Sequence, residues 1–336
     1  LLLLSGDDLG YLRYRSSAGI LVVATDPVDI QRRYMLSARR RSWSRPMLWI
    51  SEGTADRLLQ DAGHTLSGLR EQKGDLDVDE VLDIRTGVVV SMTVEGTVRQ
   101  DVSVRHVLGH LPGQAAHIEG APSADAAKLD NELIVVMAQY DAPPATPDAV
   151  RYPAANDNAS GVAVMLEAIQ AMRESEYQPY RSFLFIAYSG AGLEGGESVA
   201  PVKDVERFLE AKSGFANNLD IEAVVQLRGL GAGDGDGLTV SAGGSARLAA
   251  LMEQAARQMD VGSRRRGEPI DIGIVFEEDV GEQGQEVPHV GLSWQGWRAT
   301  SHTSLDTAAS VSSERLQDAG RTLSLALMIL GRERQY

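Results

Sequence analysis

The chain has 336 residues, more than one hydrophobic core usually serves, with 43% hydrophobic and 24% charged residues in ordinary globular proportion. A formal charge of −15 opposes phosphate backbones over most of the surface and excludes nucleic acid as the expected partner. With no cysteine in the chain, disulfides, thiolate nucleophiles and thiolate metal sites are excluded together.

The first hundred residues read as short strands around one clear helix. Compact apolar runs at residues 1–4, 20–24 and 47–50 are bounded by Gly, Pro, Ser or Asp, the pattern of buried strands. The opening run is too short for a signal or membrane segment and meets Ser5, Gly6, Asp7 and Asp8 at once. It predicts a strand ending in a turn, and a natural chain that starts further upstream. Ser51 is placed to cap a helix whose apolar face is Ala55, Leu58, Leu59 and Ala62 and which Gly63 ends. Residues 88–94 read as a further strand, closed by Glu95 and Gly96.

From about Val102 the rhythm changes to strands alternating with longer helices. Residues 133–137, 183–188 and 224–227 are continuous apolar runs of the parallel kind, buried on both faces. Val162, Met165, Leu166, Ile169 and Met172 predict one helical face, Leu248, Leu251, Met252, Ala255 and Met259 a second, and residues 313–330 a last helix. The order predicts an α/β fold: a mixed, mostly parallel sheet flanked by helices over residues 101–336, preceded by a smaller β-rich domain over residues 1–100. In such sheets ligands gather at the carboxyl ends of the strands. The basic runs 39–41 and 264–266 read as solvated loops, and Asp234, Gly235, Asp236 and Gly237 as a polar turn, since no acid stands at the twelfth position of a calcium loop. The spacing of His64, His106, His110, His117 and His289 implies no metal site.

One string carries the chemistry. After the strand at 133–137 come Ala138, Gln139, Tyr140 and Asp141, and then Ala154-Ala155-Asn156-Asp157-Asn158-Ala159-Ser160-Gly161-Val162-Ala163. It resembles the Gly-Ala-Asn-Asp-Asn-Ala-Ser-Gly-Val-Ala signature of the di-zinc aminopeptidases of metallopeptidase family twenty-eight, which also includes transferrin-receptor-like and nicastrin-like members without peptidase activity. Val107 to Gly113 and the Ser301-His302-Thr303-Ser304-Leu305-Asp306-Thr307 string fall in the family's order. The preceding region, with Ala18-Gly19-Ile20 and Pro46-Met47-Leu48-Trp49-Ile50-Ser51, looks like the protease-associated domain often found in that family.

The resemblance implies two zinc ions bridged by a carboxylate, further His, Asp or Glu ligands, and a Glu that takes the proton of the attacking water. On that pattern Asp157 is the bridging aspartate and His302 the late histidine. The first histidine position holds Gln139, a neutral and weakly basic amide, while Asp141 keeps the place of the residue that orients that histidine. The general-base position holds Ala191, the next ligand position Gly192, and the remaining aspartate position Arg228. A guanidinium is always charged and repels a dication, so Arg228 is expected to pair with Asp157 in the place of a metal.

Plainer readings stand beside these. Asn156 and Asp157 also suit a capped strand-to-helix turn, with Asn158 beside them at the pocket, and His302 also suits a structural histidine. Glu194 and Glu197 are the only acids near the lost pair, and they need a gap the alignment does not ask for. Ser189 before Gly190 suggests a nucleophile elbow, but Ala187 and Ala191 flank it where glycines are needed. The expectation is therefore a peptidase fold without peptidase activity and without a cofactor, acting in binding of peptide or protein or as a scaffold, with homo-oligomers compatible. The alternative is an active zinc aminopeptidase with a reduced site. No membrane-spanning segment is expected. Relatives with protease-associated domains place the protein in the extracellular space or periplasm, with an anchor, if any, in an upstream part.

Overall fold

The computed structural model describes residues 1–4, 17–24, 46–74, 82, 84–93, 103, 105–117, 126–142, 152–189, 219–243, 245–266, 288–301 and 303–333. The described residues up to Thr93 form one compact unit and those from Ser103 another.

In the first unit, β1 (Leu2–Leu3), β2 (Ile20–Ala24) and β3 (Met47–Ser51) pair in parallel in that order. Helix α1 (Glu52–Gln60) starts where the Ser51 hydroxyl accepts from the Thr54 N–H at 3.2 Å, and it buries Ala55 and Leu59 against the sheet cluster. The chain turns away after it at Gly63, whose φ of +77° is the left-handed conformation that glycine adopts without strain. Helix α2 (Leu66–Gly74) follows, and Arg70 ties it to α1 by donating to Glu52 at 2.5 Å and to β1 by donating to the Leu4 carbonyl at 3.0 Å.

Residues 84–93 form no ladder among the described residues, which corrects the strand expected over 88–94; Val94 lies outside the described residues. Alternation is present without a partner: Thr86, Val88, Val90 and Met92 line a cavity of about 690 Å³, while Val89 stands in solvent. Period-two hydrophobicity specifies which way side chains face, not that a neighbouring strand exists.

The second unit is built on a mixed sheet of order β4-β6-β5-β7-β10-β8-β9, from β4 (Val107–Leu111), β5 (Glu132–Gln139), β6 (Ser182–Tyr188), β7 (Asp220–Leu227), β8 (Gly237–Gly243), β9 (Gly262–Arg266) and β10 (His289–Trp294). The four central strands are parallel, β4 is antiparallel to β6, and β8 is antiparallel to β10. β5 shows why its sequence is an unbroken apolar run. Ile134, Val136 and Ala138 enter the cluster formed with the helices, and Leu133, Val135 and Met137 enter a second cluster on the opposite face with Leu184, Ile186 and Val224. Each of the larger of these side chains contributes roughly 1.5–3 kcal/mol on burial.

Helices α4 (Ser160–Glu174), α5 (Ala246–Gln258) and α6 (Ser313–Leu330) cover the first of those faces; the short α3 (Ala126–Asn131) precedes β5. Ser245 and Ser312 cap α5 and α6 through their hydroxyls. The buried stripe of α4 is Gly161, Val164, Met165, Ala168 and Met172, and Leu166 is 58% exposed. This corrects the expected face. Leucine outweighs alanine in a sequence reading, but Ala168 lies on the buried stripe and Leu166 lies off it. The basic run 264–266 is also corrected, from loop to the edge strand β9, with all three arginines exposed. The run 39–41 lies outside the described residues. Among the described residues no helix is long and apolar enough to cross a membrane.

Candidate functional site

β6 lies on one side of β5 and β7 on the other, so chain order reverses across β5 and a crevice opens at the carboxyl ends of β5 and β7. The segment 154–160 and Arg228, the residue after β7, meet there. Ala154 takes a left-handed conformation (φ +55°), the segment turns through the non-helical residues Asp157 and Asn158, and α4 begins at Ser160. The Asp157–Asn158 peptide is cis.

Three side chains hold this turn. Asn156, fully buried, accepts at Oδ1 from the Gly231 and Ala232 N–H groups, both at 2.8 Å. Asn158 donates from Nδ2 to the Leu227 carbonyl at 2.8 Å and accepts at Oδ1 from the Gly229 N–H at 3.1 Å. Ser160 donates to the Asn156 carbonyl at 2.5 Å and accepts from the Leu230 N–H at 2.9 Å. Asn156 and Asn158 therefore bind the turn to the segment that follows β7 and are buried, not open to a pocket. Gly161 is required by the same closeness: a Cβ there would lie 2.6 Å from Asn158 Oδ1 and 2.8 Å from the Leu227 carbonyl oxygen.

Asp306 fixes the turn from the other side. Its carboxylate accepts from the Asn156 N–H at 2.5 Å and the Asp157 N–H at 3.0 Å, and it is fully buried. Burial pushes its pKa up, the two backbone donors pull it back in part, and the charge of Asp157 raises it further.

The carboxylate of Asp157, with 4% of the residue exposed, faces Arg228. Arg228 Nε donates to Oδ1 at 2.8 Å and Nη2 to Oδ2 at 3.2 Å, and the Ser301 hydroxyl donates to Oδ2. The guanidinium also lies over the Trp297 ring, 4.9 Å from its centroid, and Arg298 approaches the same ring at 5.4 Å. Trp297 is seated by Gly229, whose φ is +60° and where a Cβ would come within 2.6 Å of the indole. The forked geometry and the stacking are specific to arginine; a lysine ammonium supplies neither.

Beside this pair, Gln139 donates to the Asp141 side chain at 3.1 Å and to its carbonyl at 3.2 Å. Ser189 donates its hydroxyl to Asp141 at 3.0 Å, and its N–H reaches His106 Nδ1 at 3.3 Å. The serine singled out as an elbow candidate is thus a donor to a carboxylate. Below them Gln226 donates to the Tyr188 hydroxyl at 3.0 Å, and burial pushes that phenol up while Arg228 and the Gln226 bond pull it back.

The structure brings Gln139, Asp141, Asp157 and Arg228 together, with Asn156 and Asn158 buried in the turn that carries Asp157; Ala191, Gly192, Glu194, Glu197 and His302 lie outside the described residues. The described side chains do not fit two zinc ions. Both oxygens of the bridging-type carboxylate already accept from a guanidinium, the neighbouring position carries an amide, and no group of three His, Asp or Glu able to hold a metal occurs among the described residues. Sequence reasoning did not find Ser301, Trp297 or a role for Asp306. Ser301 and Asp306 reach the turn across 144 to 150 residues of chain, and no local spacing announces such bonds.

Sheet order and strand-end crevice define an α/β fold with a mixed, mostly parallel sheet. The sequence profile of Peptidase family M28 matches residues 119–327, and the chain belongs to that family. Among solved structures, a zinc aminopeptidase of Bacillus subtilis is 20% identical, with a TM-score of 0.46, over 69% of this chain and 51% of its own. The LapA aminopeptidase of Legionella pneumophila is 15% identical, with a TM-score of 0.48, over 68% and 59%. A glutaminyl cyclase of Tannerella forsythia is 16% identical, with a TM-score of 0.44, over 67% and 78%. The chain spans about half the length of the two aminopeptidases.

Proposed function

We propose that this chain is a non-catalytic member of its family, with a peptidase fold whose cleft serves recognition of a peptide or protein. The observation that carries the reading is the forked pairing of Arg228 with Asp157. In a di-zinc peptidase that carboxylate is neutralised by two dications. Here a permanent cation neutralises it, and the side-chain network of Asn156, Asn158, Ser160 and Asp306 keeps the turn in shape without a metal. Gln139 bonded to Asp141 supports the same reading, because the amide takes the carboxylate that would otherwise orient a histidine ligand.

We further propose that the first unit is a protease-associated domain and that the protein works in the extracellular space or periplasm. Support comes from the parallel β1-β2-β3 sheet with its paired helices and from the resemblance of the strings around Gly19 and Trp49.

The test is metal content of the purified chain after equilibration with zinc and dialysis, combined with turnover of aminoacyl nitroanilides. The reading expects no stoichiometric zinc and no chelator-sensitive turnover. Zinc bound at one or two equivalents, with turnover that a chelator removes, establishes the active aminopeptidase instead.

A further inference from the structure

The edge strand β9 carries Arg264, Arg265 and Arg266 in a chain whose net charge is −15. Their side chains alternate across the sheet. Arg265 faces α5, where it donates to both carboxylate oxygens of Glu253 at 3.0 and 2.7 Å. Arg264 and Arg266 therefore stand on the opposite face, next to Thr239 and Ser241 of β8 in the ladder register. Both are exposed, and neither has an ion-pair partner among the described residues. β9 pairs with β8 on one side only, so among the described residues its outer edge offers unpaired backbone donors and acceptors.

We propose that the outer edge of β9 is a docking site for an acidic peptide segment, which adds to the sheet as a further strand. Backbone ladder bonds supply attachment and the arginines supply selection. Arg264 and Arg266 lie two residues apart on one face, about 6.6 Å along the strand, which is the repeat of every second residue on an added strand. A segment with acids at alternate positions meets both guanidiniums at once. The same charges repel a second copy of this edge, so one device blocks self-pairing and admits a partner of opposite sign. The site is separate from the crevice around Asp157, and its test is independent of the function proposed for that crevice.

The experiment measures binding of a fluorescent peptide of about ten residues with Glu at alternate positions, by anisotropy at low and moderate salt, together with amide hydrogen exchange of residues 262–266 in the whole chain. Two control peptides are used, one with Lys in place of Glu and one with alternate backbone nitrogens methylated; polyphosphate serves as a competitor without a peptide backbone. The account expects binding of the Glu peptide with protection of 262–266, no binding of the methylated peptide, and weakening of about tenfold or more in Arg264→Glu/Arg266→Glu. Binding of the Lys peptide to that double variant shows that the variant is folded and that charge selects. Equal binding of the methylated peptide, or of polyphosphate with no protection of 262–266, overturns strand addition in favour of plain anion adsorption. No binding of the Glu peptide overturns the proposal outright.

Discussion

Replacing Arg228 by Met removes the cation and keeps most of the side-chain volume beside Trp297. Asp157 then remains inside the protein, with 2% of its side chain exposed, and loses two of the hydrogen bonds its carboxylate accepts. Unit charges about 4 Å apart at an effective dielectric near 20 attract by about 4 kcal/mol. Removal of one partner of a buried ion pair typically costs about 3–5 kcal/mol, and with Arg228 only 13% exposed little solvent screening reduces that figure. For a domain of this size the loss corresponds to roughly 6–20 °C in Tm. Arg228→Lys, which keeps charge without fork or ring stacking, should fall between wild type and Met. The double variant Arg228→Met/Asp157→Leu should recover most of the loss, since the carboxylate that lost its partner is removed with it. Melting followed by tryptophan fluorescence reads the series, and the same series in a Trp49→Phe background removes the signal of the first unit's β3 tryptophan. An Arg228→Met protein within 1 kcal/mol of wild type would refute the reasoning.

Other consequences follow from the same turn and from the helices behind it. Asp306→Asn leaves one of the Asn156 and Asp157 N–H groups facing an amide NH2, so it should cost about 1–3 kcal/mol in urea unfolding. Gly161→Ala should destabilise by about 1–3 kcal/mol, because the added methyl meets backbone and the Asn158 amide, neither of which can turn away. Tyr177, which donates to the Met328 carbonyl at 2.7 Å, has its phenol pKa raised by burial. A raised native pKa means that its contribution is complete below the unfolded value near 10 and is lost as pH rises beyond it, while the unfolded chain ionises first. Tyr177→Phe should therefore be less stable by about 1 kcal/mol at pH 8, yet lose less stability than wild type between pH 9 and 11.

The sheet was legible because burial on both faces writes itself as an unbroken run, as in β5, where Leu133 to Ala138 leave no polar residue for solvent. The turn was legible for a different reason. Asn156, Asp157, Asn158, Ser160 and Gly161 all act within a few residues or upon the segment after β7, so one short string carries nearly the whole arrangement. Arg228 was legible through the family resemblance, which implies a carboxylate at its position, and the structure shows it paired with Asp157. The partners that complete the site were not. Ser301 and Asp306 are ordinary polar residues until the fold carries them to Asp157, and Trp297 has meaning only over the left-handed Gly229. Leu166 misled because hydrophobicity ranks it above Ala168, whereas the buried stripe of the helix runs through Ala168. Residues 88–93 misled because alternation fixes facing and not pairing.

The central claim is the proposal that Arg228, and not a metal ion, neutralises Asp157. Anomalous diffraction at the zinc edge, from crystals grown with zinc in excess, tests it most directly. The account predicts no peak at the Asp157 carboxylate and an intact Arg228–Asp157 fork; a zinc ion on Asp157 with Arg228 swung aside would contradict it.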